Sequence, residues 1–249
     1  NSIVRTQPNL INDDFTNIPF IDFNIMNHNV YSRNNNIATD SSVNSENDNC
    51  IVYPMNTALG CRFRCNFCIN VILKKKYKMR SAEEIVDRIR FLQKEFGANF
   101  IHLNDENFFG SKERTYKFVE LILRNNIKIK WRPSVRVNYF NKDYINESYV
   151  NELEKSGMVI AVMGAESASQ KTLDRLKKGI KVEDIHRAVE ILSKSRIIPR
   201  MSFMVGMPGE TEEDIKETYR LAIELKEKYP TFQPTVVPFR LYPGSELYD

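Results

Sequence analysis

From Ile51 onward, short apolar runs alternate with amphipathic helical stretches, and this alternation leaves the chain few architectures. The runs are Ile51 to Asn56, Phe100 to Leu103, an alternating stretch through Ile127, Ile129 and Trp131 to Val137, Val159 to Met163, Ile198 to Val205, and Gln233 to Leu241. The first intervening helix opens on the capping box Ser81 to Glu84, places Ile85, Ile89, Leu92 and Phe96 on one face, and ends at Gly97. Others start at Ser111, with Tyr116, Val119 and Leu123 inward, and near Tyr149, closing at Gly157. Helices from Ser169 and Val182 carry Leu173, Leu176, Ile185, Val189 and Leu192, and Thr211 caps a last one with Ile215, Tyr219 and Ala222 inward. Parallel strands need helical crossovers, and those helices bury the sheet face. The pattern therefore predicts an α/β chain with parallel strands and outer helices. Six units fall short of the eight that close a full barrel, so an open, partial (β/α)6 barrel with a lateral opening is expected, its chemistry in the loops after the carboxyl ends of the strands.

The first 50 of the 249 residues read differently, with thirteen Asn, no Gly and no Lys. Residues 1–50 are expected to form an Asn-rich leader and residues 51–249 the barrel domain, cut off after its sixth strand. Phe15 and the run Ile18 to Phe23 are apolar enough to dock on a neighbouring surface. The chain starts at Asn1 with neither Met nor a signal-like segment, so residue 1 is expected to be a boundary inside a longer protein. Two of the 36 basic and six of the 32 acidic residues precede Ile51, which gives the leader −4 and the remainder +8. That surplus suits an anionic partner or plain solubility, and nucleic acid is not the expected partner. Hydrophobic residues at 42% and charged residues at 27% exclude a disordered or fibrous chain. No apolar run approaches the roughly 18 residues that span a bilayer. Three of the four Cys fall within eight positions, which points to a metal site in a reducing compartment, the cytoplasm.

That cluster reads Cys61-Arg62-Phe63-Arg64-Cys65-Asn66-Phe67-Cys68, a C-x3-C-x2-C loop after the first strand. Three close thiolates suit iron and sulfide, whereas structural zinc takes four ligands, so one iron would lack a protein ligand. Cys50 lies across a strand from the loop and reads as a buried thiol. The C-x3-C-x-aromatic-C text resembles the signature of the radical S-adenosylmethionine (radical SAM) superfamily. The resemblance implies that Cys61, Cys65 and Cys68 bind a catalytic [4Fe-4S] cluster, whose open iron chelates S-adenosylmethionine for cleavage to a 5′-deoxyadenosyl radical, with Phe67 against the adenine. Further matching texts fall at strand ends: Asn104 to Phe108, Arg136, Gly164 to Ser167, Val205 to Glu210, and Tyr242 to Ser245. They are similar to the branch holding cobalamin-binding radical SAM enzymes and methylthiotransferases. The Ile18 to Phe23 run likewise resembles a linker following a cobalamin domain.

By the same resemblance Glu166, with Ser167 beside it, meets the ribose hydroxyls, Lys178 pairs with the methionyl carboxylate, and Gly206, Pro208 and Gly209 let the backbone approach the nucleoside. The family's Gly-Gly-Glu turn is replaced by Asn104-Asp105-Glu106, leaving Asp105 and Glu106 both open as partners of the methionyl amine, and the last Glu of the strand-five text falls one place late, at Glu210. Plainer readings stand beside these: an acid at a helix start for Glu166, a helix-end cation for Lys178, a turn before a cap for Gly206 to Gly209. Lys74 to Lys76 reads as a solvated charge run, His102 as a core or barrel-lining side chain, and Met201, Met204 and Met207 as gap-filling. The expected activity is cobalamin-dependent methylation or a related C–H functionalisation on an unnamed substrate, fed by an electron donor such as flavodoxin or ferredoxin. The alternatives are a methylthiotransferase, a zinc-stabilised binding module and an electron carrier.

Overall fold

The computed structural model describes residues 15, 18–33, 50–72 and 76–248. Lys74 and Lys75 lie outside the described residues, and Lys76 is exposed. After a short helix α1 (His28–Arg33), strand β1 (Val52–Met55) leads into an antiparallel ribbon of β2 (Ala58–Leu59) and β3 (Lys78–Met79). This ribbon brackets the cysteine loop and the single turn α2 (Ile69–Ile72). Helix α3 (Ala82–Phe96) then starts at the Ser81–Glu84 capping box and ends on left-handed Gly97. Strand β4 (Phe100–Leu103), helix α4 (Lys112–Arg124), strand β5 (Lys130–Arg132) and helix α5 (Glu147–Lys155) follow. The second half runs β6 (Ile160–Glu166), α6 (Gln170–Arg175), α7 (Val182–Leu192), β7 (Ile198–Val205), α8 (Glu212–Lys228) and β8 (Gln233–Pro238).

All six long strands are parallel, in two triplets, β1-β4-β5 and β6-β7-β8. Single parallel bridges, Trp131 to Met158 and Ser134 to Val162, join the triplets, so the strands form one curved sheet in chain order. Among the described residues β1 and β8 do not pair, which leaves the wall open between them. Tyr53, Ile101 and Trp131 share a row facing the helices, where Trp131 meets Phe118 edge-on and Phe108 at a tilt. The next row, Pro54, His102 and Arg132, faces the inside. Burial and the Arg132 charge push the His102 imidazole down to about 4, so it is neutral there.

Three differences from the expected elements have physical causes. The third strand ends at Arg132 because Pro133 has no N–H to donate, and contact with the next strand continues as an isolated bridge, the Pro133 carbonyl accepting from the Val162 N–H at 3.2 Å and the Val135 N–H reaching the Val162 carbonyl at 2.9 Å. Strand β6 runs on to Glu166 through a register shift. In α8 the inward face is Asp214, Thr218, Leu221, Ala222 and Leu225, so Ala222 is inward as expected, whereas Tyr219 is 46% exposed, because the Thr218 hydroxyl is drawn in to accept from the Ala168 N–H. The leader residues 18–33 lie along α3 and β1. Arg80 and Arg88 donate to the Ile18 and Ile21 carbonyls and stack on Phe20, while Phe23 packs edge-on against Tyr53 at 4.8 Å. Among the described residues no helix is long and apolar enough to cross a membrane.

Candidate active site

Three free thiols occupy the loop between β2 and β3, Cys65 buried and Cys61 and Cys68 half-buried. The Cys68 N–H donates to the Cys65 carbonyl at 3.0 Å, which makes a tight turn of the second half of the motif. Asn66 anchors that turn across the molecule, its N–H on the Leu176 carbonyl at 3.1 Å and its side-chain amide on the Arg175 carbonyl at 2.7 Å. Burial pushes the Cys61 thiol up, the Phe63 N–H and Arg136 oppose this, and the nearby Cys65 and Cys68 add to it. The three sulfurs therefore share one electrostatic neighbourhood. Among the described residues no three Cys, His, Asp or Glu side chains converge on a single ion. A cubane needs no such convergence, because each thiolate takes a different iron, so the donor set fits [4Fe-4S] and lacks the fourth ligand of structural zinc.

A wall of side chains surrounds this loop. Arg136, just after the bridge at Ser134, lays its guanidinium 3.5 Å above the Phe63 ring, with Nη1 3.8 Å from the Cys65 sulfur and Nη2 donating to the Lys178 carbonyl. Beside Cys68 lies an apolar slot of about 470 Å³ lined by Phe67, Phe239, Met204, Val237 and Tyr242. The two rings stand 6.5 Å apart.

The second triplet supplies the opposite side. Glu166 ends β6 with φ +66°, a left-handed conformation that a non-glycine residue holds only when its surroundings fix it. Its carboxylate accepts from Lys178 Nζ at 2.5 Å, both side chains 9% exposed, and Lys178 Nζ stands 6.0 Å from the centre of the Phe67 ring. A Cβ on Gly164 would run into Glu166 Oε1, so glycine is what lets that carboxylate fold back over the strand. Ser167 is buried behind, its hydroxyl accepting from the Ser169 N–H at 3.1 Å and bonded to Thr218 at 3.3 Å. Gly206 has open space before it, and Arg175 steadies the turn by donating to the Pro208 carbonyl at 2.8 Å, beneath Gly209. Glu210 folds back to accept from the Gly206 and Met207 N–H groups at 2.6 and 3.0 Å.

Asp105 is occupied elsewhere. It accepts from the Thr57 and Ala58 N–H groups at 2.5 and 2.9 Å and from the Thr57 hydroxyl, with Arg114 3.8 Å away. Burial pushes its carboxyl up against these partners. Glu106, next in sequence, is exposed at the rim. Thr57, Arg114 and Arg175 support the site without having stood out in the sequence. Thr57 follows a strand like any turn residue, and Arg175 sits in a basic run that reads as a helix end.

The chain spans about a third of the length of the curated relatives it matches. It is 30% identical over 197 residues to an anaerobic magnesium-protoporphyrin IX monomethyl ester cyclase of Rubrivivax gelatinosus, covering 78% of this chain and 34% of that protein. A ribosomal protein uS12 methylthiotransferase of Caldanaerobacter subterraneus subsp. tengcongensis is 29% identical over 64% of this chain and 38% of its own. Among solved structures, the radical S-adenosylmethionine methyltransferase TsrM from Kitasatospora setae, with cobalamin and a [4Fe-4S] cluster bound, superposes with a TM-score of 0.69 at 20% identity, covering 80% of this chain and 39% of that one. The family model of the Radical SAM superfamily matches residues 55–222, from the end of β1 into α8. With three thiols at the mouth of an open parallel barrel and that match across two thirds of its length, the chain belongs to the Radical SAM superfamily.

Proposed function

We propose that this chain is the core of an enzyme that cleaves S-adenosylmethionine reductively at a [4Fe-4S] cluster held by Cys61, Cys65 and Cys68, within a cobalamin-dependent methylation or related C–H functionalisation. The observation that carries this reading is the placement of three free thiols beside an apolar slot and opposite the buried Glu166–Lys178 pair. Bound there, the cluster would supply the electron that breaks the cofactor's sulfur–carbon bond to give a 5′-deoxyadenosyl radical. The chain's own part is to bind, orient and exclude water. The apolar slot lined by Phe67 and Phe239 suits an adenine ring. Glu166 offers an acceptor to ribose hydroxyls, Lys178 a cation to the methionyl carboxylate, and Gly206 to Gly209 an approachable backbone. Ser167 and Asp105 serve from behind, holding the strand-end turns, and Glu106 is the acid free to reach the methionyl amine.

The test is anaerobic reconstitution. Wild-type protein should hold about four iron and four sulfide per chain and, once reduced, release 5′-deoxyadenosine. Cys65→Ala should abolish both and Cys50→Ala neither, and a full cluster in Cys65→Ala sinks the assignment. The methyltransferase likeness of TsrM favours cobalamin chemistry, and the Caldanaerobacter relative keeps methylthiotransfer as a second reading. Corrinoid absorption co-eluting with native-length protein at about one per chain distinguishes them. A low-potential flavodoxin or ferredoxin in the cytoplasm is the fitting electron donor.

A further inference from the structure

Arg136 is a buried cation, 8% exposed, and among the described residues no carboxylate pairs with it. A buried charge persists where something of opposite sign meets it. Its Nε bonds to the Asn138 side-chain oxygen at 3.3 Å and its Nη2 to the Lys178 carbonyl, both neutral acceptors. The remaining Nη1 points at the Cys65 sulfur, 3.8 Å away, and Arg136 also acts on Cys61. The Phe63 ring below, 3.5 Å from the guanidinium, fixes the plane of the fork. Arg62 and Arg64 in the same loop are exposed, and Arg62 stacks outward on Tyr77.

Resting on the cluster reading above, we propose that Arg136 is a positioning residue that sets the cluster's reduction potential by donating a charge-assisted hydrogen bond to the Cys65 thiolate. Three thiolates leave the cluster site negative, and reduction adds one more negative charge. A fixed cation at a ligand sulfur therefore favours the reduced form and raises the potential, as hydrogen bonds to cluster sulfurs do generally. The stack on Phe63 and the bond to Lys178 stop the guanidinium from turning away when the charge changes.

The experiment is a potentiometric titration followed by EPR on anaerobically reconstituted protein. Arg136→Gln, with full iron content, should be about tenfold harder to reduce, a fall of ~59 mV for a one-electron couple. Arg136→Lys should fall less, and Phe63→Leu, which frees the plane of the fork, should fall by less than Arg136→Gln. Wild-type protein grown on 15N-arginine provides a readout that needs no variant: pulsed EPR of the reduced cluster should show weak coupling to a guanidinium nitrogen. A wild-type potential in fully loaded Arg136→Gln, or absence of that coupling, overturns the proposal. Wild-type protein that takes up no iron overturns the cluster reading itself, and this proposal with it.

Discussion

Glu166 and Lys177, each a non-glycine residue with positive φ, carry the backbone strain on either side of the Glu166–Lys178 pair, and Glu166 is the one whose side chain faces the site. Its positive φ follows the register shift after Gly164, and the result is a carboxylate turned onto Lys178 instead of along the strand. Glu166→Gln keeps the shape and removes the charge. It should weaken S-adenosylmethionine binding by about 1–3 kcal/mol, the scale of losing a buried hydrogen-bond partner, while leaving cluster content intact. Equilibrium dialysis on reconstituted protein checks this, and unchanged affinity would make Glu166 a support for Lys178 alone. The cysteines were legible because their spacing is itself the chemistry. Glu166 and Lys178 stood out only through resemblance, which gave each a separate partner on the cofactor, and their bond to one another was not legible. The grip of Arg136 on the Lys178 carbonyl, across 42 residues of sequence, was not legible, since no local pattern encodes which loop a cation will meet.

At the scale of elements, propensity and capping told most where they act locally. Phe100 to Leu103 and Ile198 to Val205 form strands over the ranges that their apolar runs suggest, and the Ser81 box and Gly97 bound α3 as expected. Sequence fell short where neighbours decide, as in the rotation of α8 by Thr218 and the early end of β5 at Pro133. Gly157 closes α5 as its place in the sequence suggests, and its neighbours then make it obligatory. It has φ +93°, its carbonyl accepts from the Trp131 N–H at 2.9 Å, and a Cβ there would collide with the Ile129 carbonyl. Gly157→Ala should cost about 2–3 kcal/mol from combined strain and overpacking, read as a lowered denaturant midpoint with little change in m-value.

At the scale of the whole molecule, the six strands and their outer helices place one half of the site on each triplet. The cysteine loop belongs to the first, and Glu166, Lys178 and the Gly206 turn belong to the second. Between triplets the sheet has two isolated bridges, and at the rim the halves meet through Asn66 and Arg136. Among the described residues the seam between β5 and β6 is crossed by four backbone hydrogen bonds over one continuous core, and a ligand touching both sides of it acts as a rivet. S-adenosylmethionine at a hundred times its Kd should add about 2.7 kcal/mol to the stability of the loaded protein. It should also slow amide exchange at Trp131 and Val135 more than in β4, and uniform slowing would mean a single rigid shell. The seam between β5 and β6 thus runs beneath the space where electron and nucleoside would meet, so whatever ties the two halves together also sets the width of that space.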